Sequence, residues 1–178
     1  VLEAVKRKPD AATVLDIGTG SGCIAVSLAR QLPSATITAV DVSDTALAVA
    51  RRNAEKNDVV IEFLHGSLFE PVVGRRFDLI VSNPPYIPSR DIETLEPEVR
   101  DFDPRRALDG GADGLDFYRS LIPSALKHLN NHGWLLVEIG IGQEQDVKKL
   151  LQDSGGYDEP IMTPDPAGII RVVGGQRK

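Results

Sequence analysis

At 178 residues and 19.3 kDa the chain is sized for one domain, and its 42% apolar content is enough to bury a core and excludes wholesale disorder. Its 20 Lys and Arg stand against 26 Asp and Glu, a net charge of −6, which argues against a sequence-blind polyanion binder with its basic stripe. The balance leaves room for a nucleic-acid enzyme that borrows charge from another domain.

The predicted elements alternate along the chain. Residues 13–17 (TVLDI) read as a short buried strand, followed by a glycine-rich turn and a helix over about 23–31. A second strand, 36–40, ends on Asp41. Asp44 is expected to cap a helix running to about 57, with Ala46, Leu47, Val49, Ala50 and Ala54 on one side. Strands follow at 60–64 and 77–81, a helix at 115–129, a fifth strand at 134–139 and a helix at 143–153. Two strand candidates, 160–163 and 169–173, close the chain. Strands alternating with helices imply right-handed crossovers and a parallel sheet covered on both faces. The last connection is too short for a helical crossover, so those two strands are expected to pair antiparallel. The architecture read from this order is α/β: a doubly wound sheet with an antiparallel edge hairpin, all in a single domain over 1–178. The stretch 87–114 resists the scheme, with 28 residues, three prolines, three glycines and little periodicity. Structureless loops of that length are usually functional, and this one is expected to be mobile and to order over a bound substrate.

No run approaches the roughly 18 apolar residues that span a bilayer, and no signal peptide is recognisable. The lone Cys23 supplies neither a disulfide nor a metal cluster. A cytoplasmic protein without membrane or metal is expected. The chain starts at Val1 and its single methionine is Met162, which reads as a piece of something longer.

Three features converge on a ligand. The turn Asp16-Ile17-Gly18-Thr19-Gly20-Ser21-Gly22 joins the first strand to the first helix. Its glycines permit positive φ and close approach of a ligand, and the helix N-terminus offers unpaired N–H groups. A tight turn with no ligand is the plain alternative. A dinucleotide turn would read GxGxxG, whereas the third position here is Cys23, which disfavours NAD. Asp41, at the end of strand two, is placed to accept both hydroxyls of a ribose, or else caps a surface helix. His65-Gly66-Ser67-Leu68-Phe69, at the end of strand three, reaches the same edge, where Leu68 is expected to pack on a purine or simply to join the core. His65 reads as solvated, and His128 and His132 as surface residues at a helix end.

The chemistry lies in Ser82-Asn83-Pro84-Pro85-Tyr86, after strand four. Two prolines fix the chain and remove two N–H donors, leaving carbonyl acceptors. Asn83 adds a side-chain carbonyl and Tyr86 a flat ring. Two acceptors and an aromatic face are what a planar NH2 group requires. Holding both hydrogens aligns a poorly nucleophilic nitrogen and favours the partly cationic geometry of attack. A rigid turn with a buried tyrosine is the alternative without chemistry.

DIGTGSG, the strand-end Asp41 and NPPY resemble the class I S-adenosylmethionine-dependent methyltransferases that act on amino groups. NPPYIP, followed by Arg105-Arg106-Ala107-Leu108-Asp109-Gly110-Gly111-Ala112-Asp113-Gly114-Leu115-Asp116-Phe117-Tyr118, is more specific. Together with GIIRVVGGQR at 168–177 it resembles the HemK/PrmC family, the N5-glutamine methyltransferases of peptide chain release factors. The resemblance implies a Rossmann-like, mostly parallel seven-stranded sheet. It implies binding of S-adenosylmethionine, and release of S-adenosylhomocysteine, by Gly18, Thr19, Gly20, Ser21, Gly22, Asp41 and Leu68. It implies that Asn83 contacts both donor and substrate glutamine, with Pro84 and Tyr86 completing the amide clamp. The implied partner is a release factor, with no direct nucleic-acid contact. The family's N-terminal helical domain is absent from this chain. The terminal Gly174-Gly175-Gln176 also spells the tripeptide that the family methylates, which we read as coincidence, with automethylation a minor alternative.

Other targets of the same clamp remain open at this point: a ribosomal-protein glutamine, or the N6-adenine or N2-guanine amino groups of nucleic acid. The charge of −6 weighs against nucleic acid, as do the eight acids and four arginines of 87–114. A non-catalytic nucleotide-binding or interaction module is the reading from another class, and an intact NPPY argues against it.

Overall fold

Thr13–Ile17 forms the strand β1, and every position after Thr13 is buried. A strand covered on both faces needs apolar residues on both, which is why the run does not alternate with polar residues. The computed structural model describes residues 11–100 and 104–178. Alongside β1 lie β2 (Thr36–Asp41), β3 (Glu62–His65), β4 (Phe77–Ser82), β5 (Leu129–Glu138), β6 (Ile161–Pro164) and β7 (Ile170–Gln176), in the spatial order β3-β2-β1-β4-β5-β7-β6. The first five strands are parallel, and β7 runs antiparallel to both β5 and β6. The α/β class and the doubly wound, mostly parallel sheet are as expected. Within the C-terminal pair, β7 inserts beside β5 and leaves β6 at the edge.

Helices α1 (Cys23–Gln31) and α2 (Asp44–Lys56) cover one face, where Val14, Leu79, Val81 and Leu136 meet Ala25, Leu28, Leu47 and Ala50. Helices α3 (Asp116–Ala125) and α4 (Glu144–Asp153) cover the other, where Leu15, Ile17, Ile80 and Val137 meet Tyr118, Leu121, Val147 and Leu151. Successive side chains of each central strand thus enter opposite layers, which pins the register. Among the described residues no helix is long and apolar enough to cross a membrane.

Several boundaries differ from the sequence reading. Val60 is 94% exposed and β3 begins at Glu62. Ser43, not Asp44, caps α2: its Oγ accepts from the Ala46 amide at 3.2 Å, and Asp44 is the first helical residue. Helix α3 stops at Ala125, with Pro123, which has no N–H to donate, in its last turn. Strand β5 starts early because it is bulged: Leu129 and Trp134 oppose Phe77 and Leu79, with His132 at φ 60 in between. His132 therefore lies in a strand, not at a helix end. The 87–114 stretch carries short helical turns at Ile92–Thr94, Pro97–Arg100 and Arg105–Leu108, and residues 101–103 fall outside the described chain. Its ends are pinned together by Ile87 N–H to Leu108 O (2.9 Å) and Gly110 N–H to Ile87 O (2.8 Å).

Candidate active site

Strand order reverses between β1 and β4, and the crevice beyond the carboxyl ends of two such strands is where open α/β sheets take ligands. Ile17 pairs with Ser82 there, and the buried Ser82 hydroxyl donates to the Ile17 carbonyl at 2.7 Å. That bond sets the glycine turn and the Asn83 turn side by side. They open onto one cavity of about 490 Å3, within the usual range for small-molecule sites.

Gly18, Gly20, Ser21, Asp41, Leu68 and Asn83 all line this cavity, so four separate strand ends contribute to it. Gly18 and Gly20 adopt φ of 69° and 56°, and the Gly18 and Thr19 amides donate to Val40 O at 2.9 and 3.1 Å. A Cβ on either glycine would meet no protein atom within 4 Å. The space these glycines leave is cavity. Asp41 accepts the Gly20 amide on Oδ2 (2.8 Å) and the Ser43 amide on Oδ1 (2.9 Å). Each carboxylate oxygen keeps an acceptor position free, which fits the two hydroxyls of a ribose. Leu68 holds φ 48, a left-handed conformation that costs an L-residue roughly 1–2 kcal/mol. Val40, Val42, Val49 and Leu68 supply apolar wall.

Thr19 and Gly22 do not line the cavity, and they shape the turn from behind. The buried Thr19 hydroxyl donates to Asp16 Oδ2 at 2.7 Å. Gly22, at φ 81, lies where a Cβ would come 3.0 Å from Ala50 Cβ, so it brings α1 against α2. Asp16 is fully buried, and among the described residues its Oδ1 has no partner. Burial pushes its pKa up to about 6, against the lowering effect of the Thr19 hydroxyl.

Asn83 is exposed at the cavity edge, whereas Pro84 is buried beneath it and Tyr86 is half-buried. Pro84 and Tyr86 do not line the cavity, although Pro85 does. Among the described residues nothing donates to the Pro84 carbonyl, which leaves it free as an acceptor beside Asn83. The Tyr86 ring packs where a Gly140 Cβ would come 3.0 Å from Cδ2. Burial, then the Glu138 carboxylate, raises the Tyr86 pKa and keeps the phenol protonated.

The sequence reading missed residues brought in from the 104–117 region. Pro104, Arg106, Ala107 and Phe117 also line the cavity, and Arg106 donates to the Ser43 hydroxyl at 2.7 Å. The two residues are 63 apart in sequence, so no local pattern pairs them. A second, open groove of about 440 Å3 adjoins the first through Ser67, Leu68, Pro85 and Phe117, and runs past Ser89, Asp109 and Asp116. His65 is exposed, its Nε2 3.0 Å from Val42 O, and His128 stacks on Phe69 with centroids 4.4 Å apart.

Comparison with known proteins agrees with this geometry. Residues 1–96 match the family model described as Methyltransferase small domain. The chain belongs to that family. Within the methyltransferases, 176 residues are 56% identical to a protein of Geobacter sulfurreducens named Release factor glutamine methyltransferase, covering 99% of this chain and 62% of that one. A protein of the same name from Gloeobacter violaceus is 47% identical over 164 residues, 91% of this chain and 57% of that one. The chain thus spans about 60% of the length of these curated relatives. The likeness expected from NPPYIP is borne out by them. The crystal structure of a methyltransferase from Pyrococcus furiosus superposes with a TM-score of 0.73 at 21% identity, covering 98% of this chain and 80% of that one, which shows the shared methyltransferase fold. Family and fold imply S-adenosylmethionine as the donor.

Proposed function

We propose that the chain is a methyltransferase domain that transfers the methyl group of S-adenosylmethionine to the side-chain amide nitrogen of a glutamine in a peptide chain release factor. The observation that carries this reading is the shared cavity: Asn83 of NPPY opens onto the same space as Gly18, Gly20 and Asp41. The names of the curated relatives support the choice of substrate. A release-factor substrate also implies a cytoplasmic setting.

In this reading Asp41 accepts the ribose hydroxyls of the donor on its free lone pairs, Leu68 and Val42 pack against its base, and Gly18, Gly20 and Ser21 border the rest. The bound donor supplies a sulfonium methyl carbon already activated for attack, so no metal or covalent nucleophile is needed. Asn83 Oδ1 and the Pro84 carbonyl accept the two amide hydrogens of glutamine. Both dipoles interact more strongly as the nitrogen becomes partly cationic, so their effect falls on the transition state, after which the methylated nitrogen loses one of its two protons to water.

The test offers labelled S-adenosylmethionine to the full-length protein with release factor, ribosomal protein, DNA and RNA in parallel. Label is expected in a glutamine of the release factor, and label in DNA or RNA instead would overturn the reading. Asn83→Ala is expected to lower the single-turnover rate by on the order of 10²–10³ while weakening the donor far less. A wild-type rate in that variant would refute the amide clamp.

A further inference from the structure

The loop between β5 and α4 contributes one side chain that the clamp described above does not use. Gln143 Nε2 donates to the Tyr86 carbonyl at 2.9 Å and to the Gly114 carbonyl at 3.3 Å. Its Oε1 accepts from the Gly140 amide at 3.0 Å. One amide group thus joins three backbone segments: the turn after β4, the end of the 87–114 stretch, and the turn after β5. Each is tied through main-chain atoms.

The packing around this contact is unusually close. A Cβ at Gly114 would come 2.3 Å from the Tyr86 carbonyl oxygen and 2.6 Å from Gln143 Nε2. At Gly110 it would fall 2.9 Å from Tyr86 Cα, and at Gly140 3.1 Å from Gln143 Oε1. Gly114 has φ +80 and needs glycine for its backbone alone. Gly110 and Gly140 do not have positive φ, so any residue fits their backbone. What excludes a side chain is the closeness of the Gly114 backbone and Tyr86 at Gly110, and of Tyr86 and Gln143 at Gly140.

We infer that Gln143 is a positioning residue for methyl transfer: by holding the Tyr86 carbonyl it fixes the turn that sets Asn83 at the donor cavity, with Pro84 beneath it. The inference rests on the function proposed above. One lone pair of the Tyr86 carbonyl is taken by Gln143, and in the functional reading it is Asn83 Oδ1 and the Pro84 carbonyl that receive the substrate amide. Misplacing aligned groups by about 1 Å is enough to cost on the order of 10² in rate without disturbing binding elsewhere. Gln143 lines neither the cavity nor the adjoining groove, so its loss leaves the donor contacts in place.

Two substitutions in the full-length protein separate positioning from general support. Gln143→Glu keeps an acceptor for the Gly140 amide, but at neutral pH turns a carboxylate toward two carbonyls with no donor. Gln143→Met keeps the length and removes both functions. Both are expected to lower kcat on release factor by 10- to 100-fold, with the calorimetric Kd for S-adenosylmethionine within about threefold of wild type. Only Gln143→Glu is expected to recover as pH falls and its carboxyl regains an O–H donor. Hydrogen exchange at the Ile87 and Gly110 amides is expected to rise in both variants, with β1 and β4 unchanged. Wild-type kcat in both variants would overturn the inference, as would donor affinity lost in step with rate. Should the wild-type protein methylate no release factor, the functional reading fails separately, and exchange decides the clamp: unchanged protection at Ile87 and Gly110 refutes it, and a local rise upholds it.

Discussion

Asp41 spends one lone pair of each oxygen on the protein itself, holding the Gly20 and Ser43 amides as well as facing the cavity. Asp41→Ala therefore removes two internal bonds along with the proposed ribose contacts. Charge-assisted hydrogen bonds contribute about 1.5–3 kcal/mol each, so donor affinity measured by calorimetry is expected to fall more than tenfold. Its placement after strand two was legible in the sequence, and its double duty was not, because the Gly20 amide reaches it only through the fold. Asp16 presents a different case. Its folded pKa lies near 6, above the ordinary 3.8, so the folded state binds the proton more tightly than the unfolded chain. The neutral form is favoured below about pH 4, and that advantage is lost as pH rises to about 6, by at most about 3 kcal/mol. Asp16→Asn cannot ionise. The stability difference between it and wild type in urea unfolding is thus expected to shift toward the variant between pH 4 and 6 and then level off. A difference independent of pH would show that burial leaves the Asp16 pKa at its unfolded value.

Helix α1 begins at a glycine because two elements meet there. Gly18 and Gly22 both have positive φ, yet only Gly22 has a neighbour in the way, with Ala50 Cβ 3.0 Å from the position of an added Cβ. Gly18→Ala is expected to cost roughly 1–2 kcal/mol of stability from backbone strain alone. Gly22→Ala is expected to cost more in the same unfolding experiment, since α1 and α2 must also separate. Equal costs would mean that the helices yield freely. Both glycines were readable as turn residues, but their different reasons were not. The same holds for β5: its alternation was readable from Trp134 onward, while the stretch from Leu129 joins the sheet only because the bulge around His132 lets it follow β4. A bulge breaks the period on which strand recognition depends.

Across the whole molecule, the strand ends that build the cavity lie on one edge of the sheet, and Gln176 lies toward the other. It pairs with Trp134, four residues before the end of β5, or about 13 Å along the strand, and its side-chain amide donates to the His132 carbonyl at 2.9 Å. Mass spectrometry of protein incubated with S-adenosylmethionine is expected to find no methyl group on Gln176, and a modified Gln176 in dilute protein would contradict the topology. Packing accounts for the two glycines before it: a Cβ would meet Leu136 Cδ2 at 2.5 Å from Gly174 and the Tyr157 ring at 2.9 Å from Gly175. The sequence by itself determined the α/β class, the succession of strands and helices along the chain, the glycine turn, Asp41 and NPPY, because period, turn chemistry and short motifs are local properties of the chain. The tertiary structure decided that β7 lies inside β6, that Arg106 and Phe117 share the cavity with Asp41, and that Gln143 grips the Tyr86 carbonyl. Those contacts join residues tens of positions apart, and their partners are often backbone atoms, which every residue carries and no motif distinguishes.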